Sequence, residues 1–104
     1  MPPPTVSEMY AWIGGSVVPA REATLSVVDH GFLYGDSLYE TLRTFRGGLF
    51  RLPEHFRRLR ATARGLRIEV PWTDGELAGW IADLRRAIPG DEHYIRLIVS
   101  WGPG

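Results

Sequence analysis

Tyr39, Thr41 and Arg43 occupy alternate positions in the stretch Ser37 to Phe45, whose residue types read as a β-strand. A period of two sets them on one face and Leu38, Glu40 and Leu42 on the other. A phenol, a hydroxyl and a guanidinium in line suit an anionic substrate, because arginine grips a carboxylate through two parallel hydrogen bonds and tyrosine adds a donor. Near the end of the chain, Tyr94, Arg96 and Ile98 share a strand face and repeat the tyrosine and arginine pairing, so the two sets are expected to build one anion site. On pattern alone, a solvated sheet face is the more economical account of the first set. Glu40 is the anomaly: an unpaired carboxylate among leucines is costly, so it is expected to have a partner, with an arginine the natural choice.

His55, Arg58 and Thr62 fall at i, i+3 and i+7 along a helical stretch, a polar stripe on one half-buried border of an apolar face. Arg58 is better placed there to grip a phosphate than Arg57, Arg60, Arg64 and Arg67, which fan over the opposite, wet side. A structural ion pair accounts for Arg58 equally well.

All 12 basic residues are arginines and lysine is absent, which excludes Schiff-base catalysis from within these 104 residues. Cysteine is also absent, removing disulfides and thiolate chemistry and making a reducing, cytoplasmic setting the default expectation. The three histidines show no HxH or HExxH spacing, and His30 beside Asp29 reads as a hydrogen-bonding turn residue, so no metal site is expected. No Ser-His-Asp or Cys-His arrangement is apparent, and neither Gly-Gly pair belongs to a P-loop or a dinucleotide fingerprint. Five arginines crowd into residues 57–67, but a net charge of zero and the lack of interleaved aromatics argue against a nucleic-acid interface. No apolar run approaches the roughly 18 residues of a membrane span, and residues 1–5 lack the features of a signal peptide.

The elements that must position these residues follow from the same pattern. Residues 1–8, rich in proline, are expected to form a flexible N-terminus. Gly14-Gly15 between two short apolar runs predicts a hairpin over 9–19, and 19–36 reads mostly as loop. Arg46-Gly47-Gly48 predicts a second hairpin after the strand, with the glycines supplying positive φ. Pro53 is expected to open a helix whose apolar stripe is Phe56, Leu59, Ala63 and Leu66, ending near Gly65. Thr73-Asp74-Gly75-Glu76 is a capping box opening a second helix with Leu77, Trp80, Ile81, Leu84 and Ile88 on one face, stopped by Pro89-Gly90. A last strand runs from His93 to Trp101, and Gly102-Pro103-Gly104 begins a turn. This order predicts an α+β fold, a mainly antiparallel sheet with two helices on one side.

The run Asp29-His30-Gly31-Phe32-Leu33-Tyr34-Gly35-Asp36-Ser37-Leu38-Tyr39-Glu40-Thr41-Leu42-Arg43, with Gly47-Gly48-Leu49-Phe50-Arg51-Leu52-Pro53-Glu54-His55-Phe56-Arg57-Arg58-Leu59, resembles the class IV pyridoxal-phosphate aminotransferases. Tyr94-Ile95-Arg96 is a third, weaker point of likeness, and the resemblance extends from about Tyr10 to Gly102. It implies a two-domain, homodimeric fold type IV enzyme of which residues 9–104 are the small N-terminal domain. It further implies that Arg58, in His-x-x-Arg-Leu, binds the phosphate of pyridoxal 5′-phosphate. Tyr39, Thr41, Arg43, Tyr94 and Arg96 would face the amino acid and 2-oxo acid substrates, whereas Glu40 matches the glutamate of the family's Tyr/Phe-Glu pair without gaining a role from it.

The family's catalytic lysine lies in its larger C-terminal domain, so these residues alone are expected to be inactive and to hold no catalytic group. Gly-Asp-Ser-Leu-Tyr-Glu is nearest the D-amino-acid type and Tyr-Ile-Arg the branched-chain type, while the Arg-x-His of many D-specific enzymes would follow Gly104. Trp101 stands where an arginine often precedes glycine in lyase-like members. The resemblance therefore implies an aminotransferase of branched-chain or D-type first and aminodeoxychorismate lyase second. A non-catalytic dimerisation or regulatory fragment is the alternative of another class.

Overall fold

The computed structural model describes residues 9–102; residues 1–8, and with them the expected flexible N-terminus, lie outside it, as do Pro103 and Gly104. Among the described residues the strands form two antiparallel sheets, and the chain divides into two compact units. No helix among the described residues is long and apolar enough to cross a membrane.

One unit comprises the residues up to Leu25 together with Trp72–Gly90. Its hairpin pairs β1 (Tyr10–Ile13) with β2 (Ser16–Pro19), Ile13 opposite Ser16. Gly14 and Gly15 both take positive φ, the requirement of a tight two-residue hairpin turn. A single 3-10 turn, Ala20–Glu22, follows. The third helix in chain order, α3 (Asp74–Ala87), starts at the predicted capping box: Thr73 Oγ1 accepts from the Glu76 amide and Glu76 Oε1 accepts from the Thr73 amide, both at 3.0 Å. Its apolar face buries Leu77 and Ile81. Trp80 stacks on Trp12 of β1 at 4.5 Å between ring centroids and takes Trp72 edge-on.

The other unit comprises Ser26–Pro71 and the residues from Asp91 onward. Part of the expected loop is a short helix, α1 (His30–Tyr34), too brief to show periodicity in sequence. Asp29 caps it by accepting from the Phe32 amide at 3.1 Å, and Gly35 closes it in the left-handed conformation. Then come β3 (Ser37–Phe45), β4 (Gly48–Leu49), α2 (Leu52–Leu66) and β5 (Tyr94–Ser100), with sheet order β4-β3-β5. β3 pairs with β5 along its length, from Ser37 opposite Ser100 to Arg43 opposite Tyr94.

The turn between β3 and β4 departs from expectation. Phe45 pairs with Gly48, so the loop residues are Arg46 and Gly47, and Arg46 rather than Gly48 takes the second positive φ. Helix α2 begins at Leu52 with Pro53 in its first turn, packs on β3, and buries Phe56, Leu59 and Ala63. Leu66, expected in that stripe, is exposed. Arg67 turns left-handed after it, its amide donating to Arg64 O and that of Ile68 to Ala63 O, which folds Ile68 back into the core in Leu66's stead. Leu38 and Leu42 of β3, with Ile95 and Val99 of β5, complete this core.

Candidate functional site

Strand pairing decides which side chains meet. Thr41 lies opposite Arg96, Tyr39 opposite Ile98 and Arg43 opposite Tyr94, so directly paired residues place all five expected substrate residues on one sheet face. Tyr39, Arg43, Tyr94 and Arg96 are exposed and Thr41 is half-buried. The guanidiniums rest against the rings, Arg43 at 5.7 Å from the Tyr94 centroid and Arg96 at 4.9 Å from that of Tyr39. The face thus offers two fixed cations, two phenols and a hydroxyl, donors suited to a carboxylate.

The alternate residues of β3 point the other way. Leu38, Glu40 and Leu42 are buried, and Glu40 is only 6% exposed. Its expected arginine partner is Arg58, one turn along α2 from His55. Arg58 Nε lies 2.9 Å from Glu40 Oε2, Arg58 Nη2 2.7 Å from Oε1, and His55 Nδ1 2.7 Å from the same Oε1. A carboxylate oxygen at that distance only accepts, so His55 Nδ1 carries the proton and donates. The Arg58 guanidinium beside it, and then His55, hold the Glu40 carboxyl below the usual range against the opposing effect of burial. Reciprocally, Glu40 raises the pKa of Arg58.

The structure therefore separates Arg58 from the five: it is anchored on the opposite side of β3. The expected half-buried polar border is half-buried only at its His55 end, since the Arg58 side chain is 66% exposed and Thr62 is exposed. Arg58 Nη1 has no hydrogen-bond partner among the described residues. Arg60, placed by helical angle on the wet side, is half-buried and donates to Val70 O at 3.3 Å. His55 was legible as a border residue but not as the second partner of Glu40; its position three residues before Arg58, with one carboxylate buried nearby, is the signal that could have shown it.

A second polar cluster fixes the start of β3. The Ser100 hydroxyl donates to Asp29 Oδ1 at 2.8 Å and accepts from the Gly102 amide at 2.9 Å. This hydroxyl first, with the α1 amides, holds the Asp29 carboxyl below its ordinary range although burial opposes it. His30 is the first residue of α1 rather than a turn residue, and its amide donates to Gly102 O at 2.7 Å. Its Nδ1 is buried without a hydrogen bond, 3.6 Å from Asp36 Oδ2, and its ring contacts Tyr34 edge-on and Trp101 at a tilt. Among the described residues no group of three or more His, Cys, Asp or Glu could hold a metal.

The profile of the family described as Amino-transferase class IV matches residues 37–104, which contain β3, α2 and β5 with the five residues of the sheet face and with Glu40, His55 and Arg58. The chain is 38% identical over 96 residues to a putative branched-chain-amino-acid aminotransferase of Methanocaldococcus jannaschii, covering 92% of this chain and 33% of that protein. It is 33% identical over 73 residues to the D-alanine aminotransferase of Staphylococcus haemolyticus, covering 70% of this chain and 26% of that protein. The structure resembles the T.th. branched-chain amino acid aminotransferase, solved with pyridoxamine 5′-phosphate, with a TM-score of 0.80 and 32% identity over 95% of this chain and 34% of that one. This chain belongs to the class IV aminotransferases, and it spans about a third of the length of the relatives it matches.

Proposed function

We propose that this chain forms the N-terminal wall of the active site of a pyridoxal 5′-phosphate-dependent aminotransferase acting on a branched-chain or D-amino acid and a 2-oxo acid. Residues 9–104 serve as its small domain, in a homodimeric, cytoplasmic enzyme whose larger domain lies outside these residues. The observation that carries the reading is the convergence of Tyr39, Thr41, Arg43, Tyr94 and Arg96 on one face of the β3–β5 pair. The similarity to both branched-chain and D-alanine aminotransferases supports the substrate class.

The residues fit an anionic cofactor at one point: Arg58 presents an exposed guanidinium whose Nη1 has no partner among the described residues and whose Nε and Nη2 are held by Glu40. When bound, pyridoxal 5′-phosphate supplies the electron sink that lets an amino acid lose its α-proton. Arg58 would donate to the phosphate oxygens from Nη1. Arg43 and Arg96 would draw in the substrate carboxylate, and Tyr39, Tyr94 and Thr41 would fix its orientation by hydrogen bonds. Covalent attachment and proton transfer belong to a lysine that these 104 residues do not contain.

Fluorescence titration of the full-length protein with pyridoxal 5′-phosphate tests the assignment of Arg58. Arg58→Ala is expected to weaken binding roughly tenfold to hundredfold, the scale of losing a charged hydrogen bond to phosphate. Unchanged affinity would remove Arg58 from the cofactor site.

A further inference from the structure

Glu40 is buried between two leucines on the face of β3 that carries none of the five proposed substrate residues, yet it is charged and holds three donors. Stability alone is a weak account of a carboxylate in that position, because an apolar side chain of similar volume often packs such a site as well or better. Its geometry is specific. Arg58 is gripped along one edge of its planar guanidinium, through Nε and Nη2, while His55 donates to the oxygen that Nη2 also uses. The opposite corner, Nη1, is the part without a partner among the described residues, and the side chain is largely exposed. Two bonds to a plane fix its orientation, whereas one would leave it free to rotate.

We propose that Glu40 is a positioning residue for phosphate recognition: held by His55, it locks the Arg58 guanidinium so that Nη1 is presented to the phosphate before the cofactor binds. The inference rests on the proposed reading of Arg58 as the phosphate ligand and gives Glu40 and His55 their roles within it. Holding a long side chain in its binding orientation removes the entropy cost of ordering it on binding. A merely electrostatic account makes the opposite prediction, since a carboxylate beside a phosphate site repels the phosphate and its removal should tighten binding.

The sign of the effect of Glu40→Gln therefore decides. The full-length protein is titrated with pyridoxal 5′-phosphate and with pyridoxal, which lacks the phosphate, for the wild type, Glu40→Gln, Arg58→Ala and the double variant. Glu40→Gln is expected to weaken binding of the phosphorylated form about tenfold, the scale for groups that orient a direct ligand, and to leave pyridoxal unchanged. In the Arg58→Ala background the same change should have no weakening effect, because the side chain that it positions is gone. Unchanged or tighter binding of the phosphorylated form by Glu40→Gln, while Arg58→Ala still weakens it, overturns the role of Glu40 alone. No effect of Arg58→Ala overturns the reading on which it rests. If Glu40→Gln does not fold, Glu40→Asp keeps the charge but draws the carboxylate back by one methylene, and wild-type discrimination between the two ligands in that variant overturns the proposal.

Discussion

Arg96 reaches diagonally across the β3–β5 pair so that its guanidinium lies 4.9 Å from the ring centroid of Tyr39, two residues along the strand from its direct partner Thr41. Arg43 meets the ring of its direct partner Tyr94 at 5.7 Å. Each ring steadies one cation over the face. The phenol and the ring of Tyr39 therefore have separable jobs, one as a donor and one as a platform for Arg96.

Tyr39→Phe keeps the platform and removes the donor. In the full-length protein it is expected to raise KM for the amino acid roughly two- to tenfold, the worth of one neutral hydrogen bond, while Tyr39→Leu and Arg96→Ala raise it further. Cofactor affinity should be unchanged in all three, because Glu40 and Arg58 occupy the other side of β3. Steady-state kinetics with a parallel cofactor titration checks both parts. Loss of cofactor in Tyr39→Phe would mean that the substrate face is wrongly assigned.

The Glu40 cluster makes stability depend on acid in a definite direction. Arg58, followed by His55, lowers the folded-state value of this carboxyl from its ordinary 4.5. Its contribution is complete above about 4.5, declines below it, and is gone once the pH has fallen through the lowered folded value. Melting curves of the wild type and Glu40→Gln should therefore differ most near neutrality and converge as the pH falls below 4.5 and on through the lowered folded value. A gap that stays constant over that range would show that Glu40 is not ionised in the folded state.

Much of this was legible because the signals were local. β3, the hairpin at Gly14-Gly15 and the capped α3 each have a period or a cap written into a few adjacent residues, and the shared face of Tyr39, Thr41, Arg43, Tyr94 and Arg96 followed from alternation. The rest depended on what comes together in space. Helix α1 is held by Asp29 and Ser100, far apart in sequence, and is too short for a periodic stripe. Leu66 and Ile68 exchanged places because Arg67 adopts a left-handed conformation more typical of glycine. The partner of Glu40 was foreseeable as an arginine, but only packing of α2 on β3 selects Arg58 and adds His55.

In the unit that contains α3, the reciprocal bonds between Thr73 and Glu76 are a self-contained device. Thr73→Ala is expected to cost about 1 kcal/mol of stability, and Thr73→Ser should restore most of it by replacing the hydroxyl acceptor. Denaturant unfolding of both variants measures this. Equal stability of Thr73→Ala and the wild type would show that the cap contributes nothing.

Gly31 stands where α1 meets β5, and a Cβ there would sit 2.7 Å from Ser100 Cβ, 2.9 Å from Asp29 Oδ2 and 3.1 Å from Ser37 Cβ. None of these can withdraw cheaply, because Ser100 and Asp29 are bonded to each other and Ser37 begins β3. Gly31→Ala is thus expected to destabilise by about 1 to 3 kcal/mol, the range for forcing a methyl group into a packed contact. Gly79, exposed within α3 with nothing inside 4 Å of an added Cβ, provides the opposite case. Gly79→Ala should stabilise by about 0.5 to 1 kcal/mol through helix propensity alone. Thermal melts of the two variants should therefore move in opposite directions, and a neutral Gly31→Ala would show that α1 does not need its close approach to Ser100.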